Sequence, residues 1–275
     1  MSIWNAILLG IVQGVSEFMP VSGSGHLAVL QHLFGVTTNG DYYFLHALLH
    51  AGTLIAIIFV YRSELNNMRQ QMMLNRMQQY QQTEQKQYPK VRLFAMIAFA
   101  SIPMIIAAMF YSMFSSLAVK TAFVSVMLLL NGILIYATDQ MKEGKYSEGT
   151  LPFRRAILVG LCQCAAIVPG ISRVAAAYGA STACGLRRER SLHFTYMLSI
   201  PALIGIVIVD LAMGISRGIS LGEVPGALFA MVCAIVFGIL SLRLMKQIVE
   251  SEQYGNFAYY CWVIGAVTLL LTFIF

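Results

Sequence analysis

The sequence predicts an all-α membrane protein folded as one domain over residues 1–275. Composition and patterning both point there. Hydrophobic residues make up 58% of the chain and charged residues 11%, against roughly 25% charge in a soluble domain. The apolar residues come in runs of membrane-spanning length, and the basic residues cluster in the short stretches between them. Too little charge remains to cover a water-facing surface, which excludes a cytosolic enzyme and a secreted domain.

Six segments reach the roughly 20 apolar residues that a spanning helix needs: about 43–61, 93–113, 119–138, 194–213, 225–244 and 257–275. Two other apolar stretches are interrupted. Glu17, Pro20 and Ser22-Gly23-Ser24-Gly25 break the stretch 3–33, and Pro169, Gly170, Ser172 and Arg173 break 153–184. Proline and clustered glycine end a helix, and irregular backbone at membrane depth survives only against protein or a watery cavity. Each stretch therefore reads as a re-entrant helix-loop-helix hairpin.

With six passes and two hairpins, the loops 62–92, 139–155, 186–191 and 243–256 share one side and hold 15 of the 18 basic residues. The positive-inside rule makes that side cytoplasmic and places both termini outside. The net charge of +6 is thus a mark of topology, and no nucleic-acid partner is expected. The Gln- and Met-rich stretch 70–87 reads as an amphipathic or flexible cytoplasmic connector. All five cysteines lie in or beside apolar runs and read as small buried residues.

The two broken stretches align without a gap at an offset of 150 residues. Residues 6–13 match residues 156–163 with five identities in eight, and the same offset pairs Ser22 with Ser172, Phe44 with Phe194 and Leu48 with Leu198. Each half, 1–138 and 151–275, then holds one hairpin and three passes. Three is odd, so the second half is inverted relative to the first. Inverted repeats with broken helices place a site at the repeat interface, where the two hairpin tips should meet.

Glu17 is the only acid in the interior of either hairpin, and Arg173 the only Lys or Arg there, since Arg154 and Arg155 lie at a hairpin end. On insertion scales such a charge costs about 2.5–3.5 kcal/mol at the bilayer centre. A structural pair bracing the two tips would account for both. Small polar residues at the tips favour a ligand site instead. Ser22, Ser24 and His26 follow Glu17, Ser172 precedes Arg173, and Gly23, Gly25 and Gly170 let backbone N–H groups approach a ligand. Arginine, serine and loop N–H groups near helix N-termini make a phosphate cradle, and a carboxylate with a histidine supplies a metal ligand or general base. A lipid-linked phosphate fits this set better than a sugar or an amino acid. His46 and His50 sit at the i, i+4 spacing of a metal pair, although a buried hydrogen-bonding role is the simpler reading. Asp210 and Glu223 fall near the outer boundary and read as solvated.

The run from Gly10 to Leu27, through Gln13, Glu17, Pro20, Ser22, Ser24, Gly25 and His26, resembles the first signature of the bacitracin-resistance type undecaprenyl-diphosphatases. Pro169-Gly170-Ile171-Ser172-Arg173 resembles the core of their second, and Leu48-Leu49-His50-Ala51-Gly52-Thr53-Leu54 their stretch at the first full pass. The likeness covers essentially the whole chain. It implies a Mg2+- or Ca2+-dependent phosphatase of a bacterial inner membrane that releases phosphate from undecaprenyl diphosphate and regenerates the monophosphate carrier of cell-wall synthesis. By motif position Glu17, Ser22, His26 and Arg173 are implied as catalytic, with Glu17 also a metal ligand. Gln13, Ser24, Gly25, Gly170 and Ser172 are implied to bind substrate, and a homodimer is compatible. The chain departs from the family pattern at Gly23, where a second Ser or Thr is usual, and at Val174 and Ala177 in place of Ser and Thr. The attacking group is then Ser22, Ser24, His26 or a water. A transporter or flippase of a polyprenyl phosphate, or a relative without hydrolysis, is the alternative that these changes suggest.

Overall fold

A computed structural model describes residues 3–33, 40–81, 89–110, 113–114 and 116–274. They are almost wholly helical, with no strand among them beyond one isolated bridge, Tyr146 to Leu186. The first broken stretch is two short helices, α1 (Ile3–Phe18) and α2 (Gly23–Leu33). After them come α3 (Gly40–Val60), α4 (Arg62–Gln81), α5 (Pro89–Ala108) and α6 (Thr121–Asp139). The second broken stretch is α7 (Phe153–Gln163), continued by a 3-10 turn, and α8 (Arg173–Ala183). The chain then runs through α9 (Arg188–Arg217), α10 (Val224–Glu250) and α11 (Asn256–Ile274).

Among the described residues five helices are long and apolar enough to cross a membrane: Tyr42–Val60, Lys90–Ala108, Thr121–Asp139, Arg188–Arg217 and Leu221–Glu250. These cover five of the six expected segments. The sixth falls in α11, which is apolar but shorter. Their outward faces are greasy, as lipid requires: Ile105, Ile208, Val232 and Leu270 are each more than half exposed. The Gln- and Met-rich connector forms α4 as far as Gln81, and residues 82–88 lie outside the described residues. Lys90 pairs with Glu64 and its backbone N–H donates to Gln71 Oε1 at 3.1 Å, which ties α4 to α5.

The cysteine expectation needs correction. Cys261 is buried, Cys164, Cys184 and Cys233 are half-buried, and Cys162 is exposed. Cys162 neighbours the exposed Leu158 and Leu161 on α7. In a membrane protein an apolar sequence can satisfy lipid as well as a core, so apolar context alone did not settle burial.

The short helices α1 and α7 are seated in the same way. A Cβ on Gly10 would run into the main-chain carbonyl of Ala230 in α10, and a Cβ on Gly160 into that of Ala100 in α5. Helices approach this closely only where no side chain intervenes. Gly10→Leu and Gly160→Leu are therefore each expected to lower thermal stability in detergent, by about 1–3 kcal/mol from overpacking. Melting curves of the purified variants check this.

Candidate active site

Both helix breaks are built with the same device. Pro20 interrupts α1, Ser22 takes a left-handed φ of 69°, and its hydroxyl accepts from Gly25 N at 3.2 Å to cap α2. At the other break Gly170 has a φ of 103°, and Ser172 Oγ accepts from Ala175 N at 3.2 Å to cap α8. A glycine is needed at Gly170 for two reasons: the left-handed backbone, and a Cβ there would press to 2.5 Å on Met127 of α6. The serines matched across the two halves thus have equivalent local roles.

The tips meet. A Cβ on Gly25 would stand 3.1 Å from Gly170 Cα. Asn131 of α6 clasps both main chains: its Nδ2 donates to Pro20 O at 2.7 Å and its Oδ1 accepts from Ser172 N at 2.8 Å. Tyr196 of α9 donates to Phe18 O at 2.9 Å, and Ser241 of α10 to Val15 O at 2.8 Å. Each of these contacts satisfies a carbonyl or N–H that the broken helices leave without an intrahelical partner.

Across this seam Arg173 Nη1 donates to Glu17 Oε1 at 2.8 Å, with both side chains largely buried. The other carboxylate oxygen accepts from Gln13 Nε2 at 2.8 Å. The same Gln13 nitrogen contacts His50 Nδ1 at 3.0 Å, which brings that ring 3.6 Å from Glu17 Oε2. Gln13 Oε1 is buried and makes no hydrogen bond among the described residues.

These groups wall a cavity of about 470 Å3, lined by Glu17, Ser24, Ser172 and Arg173 from the tips and by His46 and His50 from α3. Its remaining wall is mostly apolar and includes Ile105 of α5 and Ile208 of α9, which are 69% and 62% exposed. The cavity therefore opens between those helices toward the lipid-facing surface.

Other residues singled out in the sequence sit behind this wall. Ser22 is 1% exposed and spends its hydroxyl on the α2 cap. His26 points away from the cavity: Nδ1 contacts Ser22 O at 2.9 Å, Nε2 contacts Tyr260 OH at 2.8 Å, and the ring stacks on Tyr260. Gly25 and Gly170 form the tip junction. Asp210, expected in solvent, is fully buried. The segment 194–213 put it near a helix end, but α9 continues to Arg217 and leaves Asp210 about two turns inside. Asn131, Tyr196 and Ser241 were not anticipated. Each lies on a long apolar helix where a single polar residue carries no positional signal.

The family model of bacitracin resistance protein BacA matches residues 6–267 of the chain. The chain belongs to the BacA family. It is 32% identical to the undecaprenyl-diphosphatase of Alkaliphilus metalliredigens over 99% of both chains. It is 33% identical to that of Desulfosudis oleivorans over 96% of this chain and 97% of that protein. The undecaprenyl-diphosphatase of Methanosphaera stadtmanae is 31% identical over 99% of each. As a BacA-family member, the chain is a multi-pass helical membrane protein, and the match runs through both broken stretches.

Asn131 should carry much of the seam. Asn131→Leu would strand the Ser172 N–H and the Pro20 carbonyl in the interior, at about 1–3 kcal/mol for each group left unsatisfied. The variant is expected to melt at lower temperature than the unaltered chain. Melting curves of the purified proteins in detergent check this.

Proposed function

We propose that this chain is an enzyme of the bacterial inner membrane that hydrolyses undecaprenyl diphosphate with water, giving undecaprenyl phosphate and inorganic phosphate. One observation carries the assignment to this cavity: Arg173 and Glu17, one from each broken stretch, pair at its wall. The lipid-side opening at Ile105 and Ile208 gives the prenyl chain a path to the bilayer. In this reading the halves 1–138 and 151–275 are inverted repeats, a view supported by the matched serine caps and matched seating glycines.

In the reaction Arg173 binds the diphosphate. Of its guanidinium nitrogens only Nη1 is engaged among the described residues, so the rest of the fork is available to phosphate oxygens. Ser24, exposed at the start of α2, and the N–H groups of Gly23 and Ser24 add donors. Glu17 orients a water against the terminal phosphorus and takes its proton as the new P–O bond forms and the bridging P–O bond breaks. Ser22 and Ser172 hold the tip backbones, and Gln13 holds the carboxylate in place. His26 acts through the tip, its ring fixing Ser22 O against Tyr260.

A Mg2+ or Ca2+ ion fits this oxygen set. Such ions take carboxylate and amide oxygens together with substrate phosphates, and the orphaned Gln13 Oε1 beside Glu17 is a buried oxygen lacking a partner. Glu17 and Gln13 would hold the ion, which would neutralise diphosphate charge.

The test is release of phosphate from undecaprenyl diphosphate by the purified protein in detergent, titrated with Mg2+ and with Ca2+. Turnover that depends on a divalent cation is expected. Absence of release at any cation concentration would overturn the proposal.

A further inference from the structure

A second group of ligands, two of which line the same cavity, has no part in the chemistry above. His46 and His50 are one turn apart on α3, and Asp210 reaches them from α9. One potential ligand atom from each lies within 4.8 Å of the others. Asp210 is fully buried and His46 is 8% exposed. The three are unusual company for a membrane interior, where each ionisable side chain carries a cost that needs a return.

Both histidines are held by neighbours. The His46 ring stacks on Tyr42 at 4.4 Å between centroids, and His50 is fixed through Nδ1 by Gln13. For Nε2 of His50 to bind a metal, Nδ1 must carry the ring proton and donate to Glu17 in place of accepting from Gln13 Nε2. Glu17 Oε2, 3.6 Å from Nδ1, stands where a carboxylate commonly supports a metal-bound histidine.

We propose that His46, His50 and Asp210 bind a divalent transition ion of the Zn2+ class. Two imidazoles and one carboxylate suit such an ion and not Mg2+ or Ca2+, which prefer oxygen. Three protein ligands leave a coordination position open, and His46 and His50 both line the cavity, so that position faces the diphosphate pocket. Bonds of about 2.0–2.1 Å place tetrahedral ligands roughly 3.3 Å apart. Binding would draw the two rings and the carboxylate together by rotation about their χ angles, at the expense of the Gln13 contact to His50. The ion would present a second positive pole to an anionic ligand in the cavity that Arg173 also lines.

The experiment uses the full chain in detergent, freed of metal by chelation, with Co2+ as a spectroscopic probe and Zn2+ counted by mass spectrometry. One equivalent of Zn2+ and visible Co2+ d–d bands of low coordination number, displaced by Zn2+, are expected. Because loss of an outer-shell partner alone costs about 10–100-fold in affinity, His46→Gln and Asp210→Asn should each weaken binding by at least about 100-fold. Arg173→Gln, which disables the diphosphate clamp and keeps all three ligands, should retain the equivalent. No stoichiometric binding by the unaltered chain would overturn the proposal. So would unchanged binding in both ligand variants, or thiolate-to-cobalt charge-transfer absorption, which would place the ion on cysteine. If a variant fails to fold, the unaltered chain still decides, through the d–d bands and the presence or absence of the charge-transfer band. Binding is read without turnover, so this result and the phosphate-release assay can fail independently.

Discussion

Arg173→Ala is expected to lower phosphate release by about 10²–10³-fold or more, the range seen when one positioned donor to developing charge is removed. Its consequences reach beyond the missing clamp. Glu17 would be left as a buried carboxylate without its cation, and breaking such a pair costs about 3–5 kcal/mol, so a lower melting temperature should accompany the lost activity. Arg173→Lys separates the two effects. The ammonium keeps the charge beside Glu17 but lacks the planar fork, so stability should largely recover while activity stays well below that of the unaltered chain. Unimpaired turnover by Arg173→Ala would remove this cavity from the reaction.

Glu17→Gln has the second large effect. The amide keeps the shape of the side chain but cannot take a proton, and loss of a positioned general base costs about 10²–10⁴-fold. The double variant Glu17→Gln/Arg173→Gln distinguishes catalysis from bracing. With both charges gone no ion is left unpaired, so stability should exceed that of either single variant, a coupling that a double-mutant cycle measures directly. Activity should remain absent. A double variant that regains turnover would mean that the pair serves only to hold the tips together.

The parts of this site legible in the sequence are those where a residue breaks a pattern. Glu17, Pro20, Pro169 and Arg173 interrupt apolar runs that would otherwise continue, and the interruption marks both the helix breaks and the buried ions. The offset that pairs Ser22 with Ser172 anticipated a shared place in the fold, though not that both hydroxyls would be used as helix caps. Proximity in sequence misled at His26. It follows Ser24 by two residues, but a helix turns successive side chains by about 100°, and its ring leaves the cavity for Tyr260. Contacts between distant helices were out of reach. Nothing local to Asn131 shows that it lies between Pro20 and Ser172, and the neighbours of Asp210 do not reveal how far α9 extends. The exposure of Cys162 was hidden for a different reason, because lipid and protein core select the same apolar residues.

The clasp at Asn131 grips peptide groups, and peptide groups are the same whatever side chain hangs from them. The spacing of the two tips that carry the carboxylate and the guanidinium is therefore gauged through main chain. A cavity-lining residue such as Gly23 can differ from the family pattern without moving the jaws of the vice. The scaffold can keep its calibration while the hydroxyls around it are exchanged, which leaves the choice of anionic head group open to substitution one position at a time.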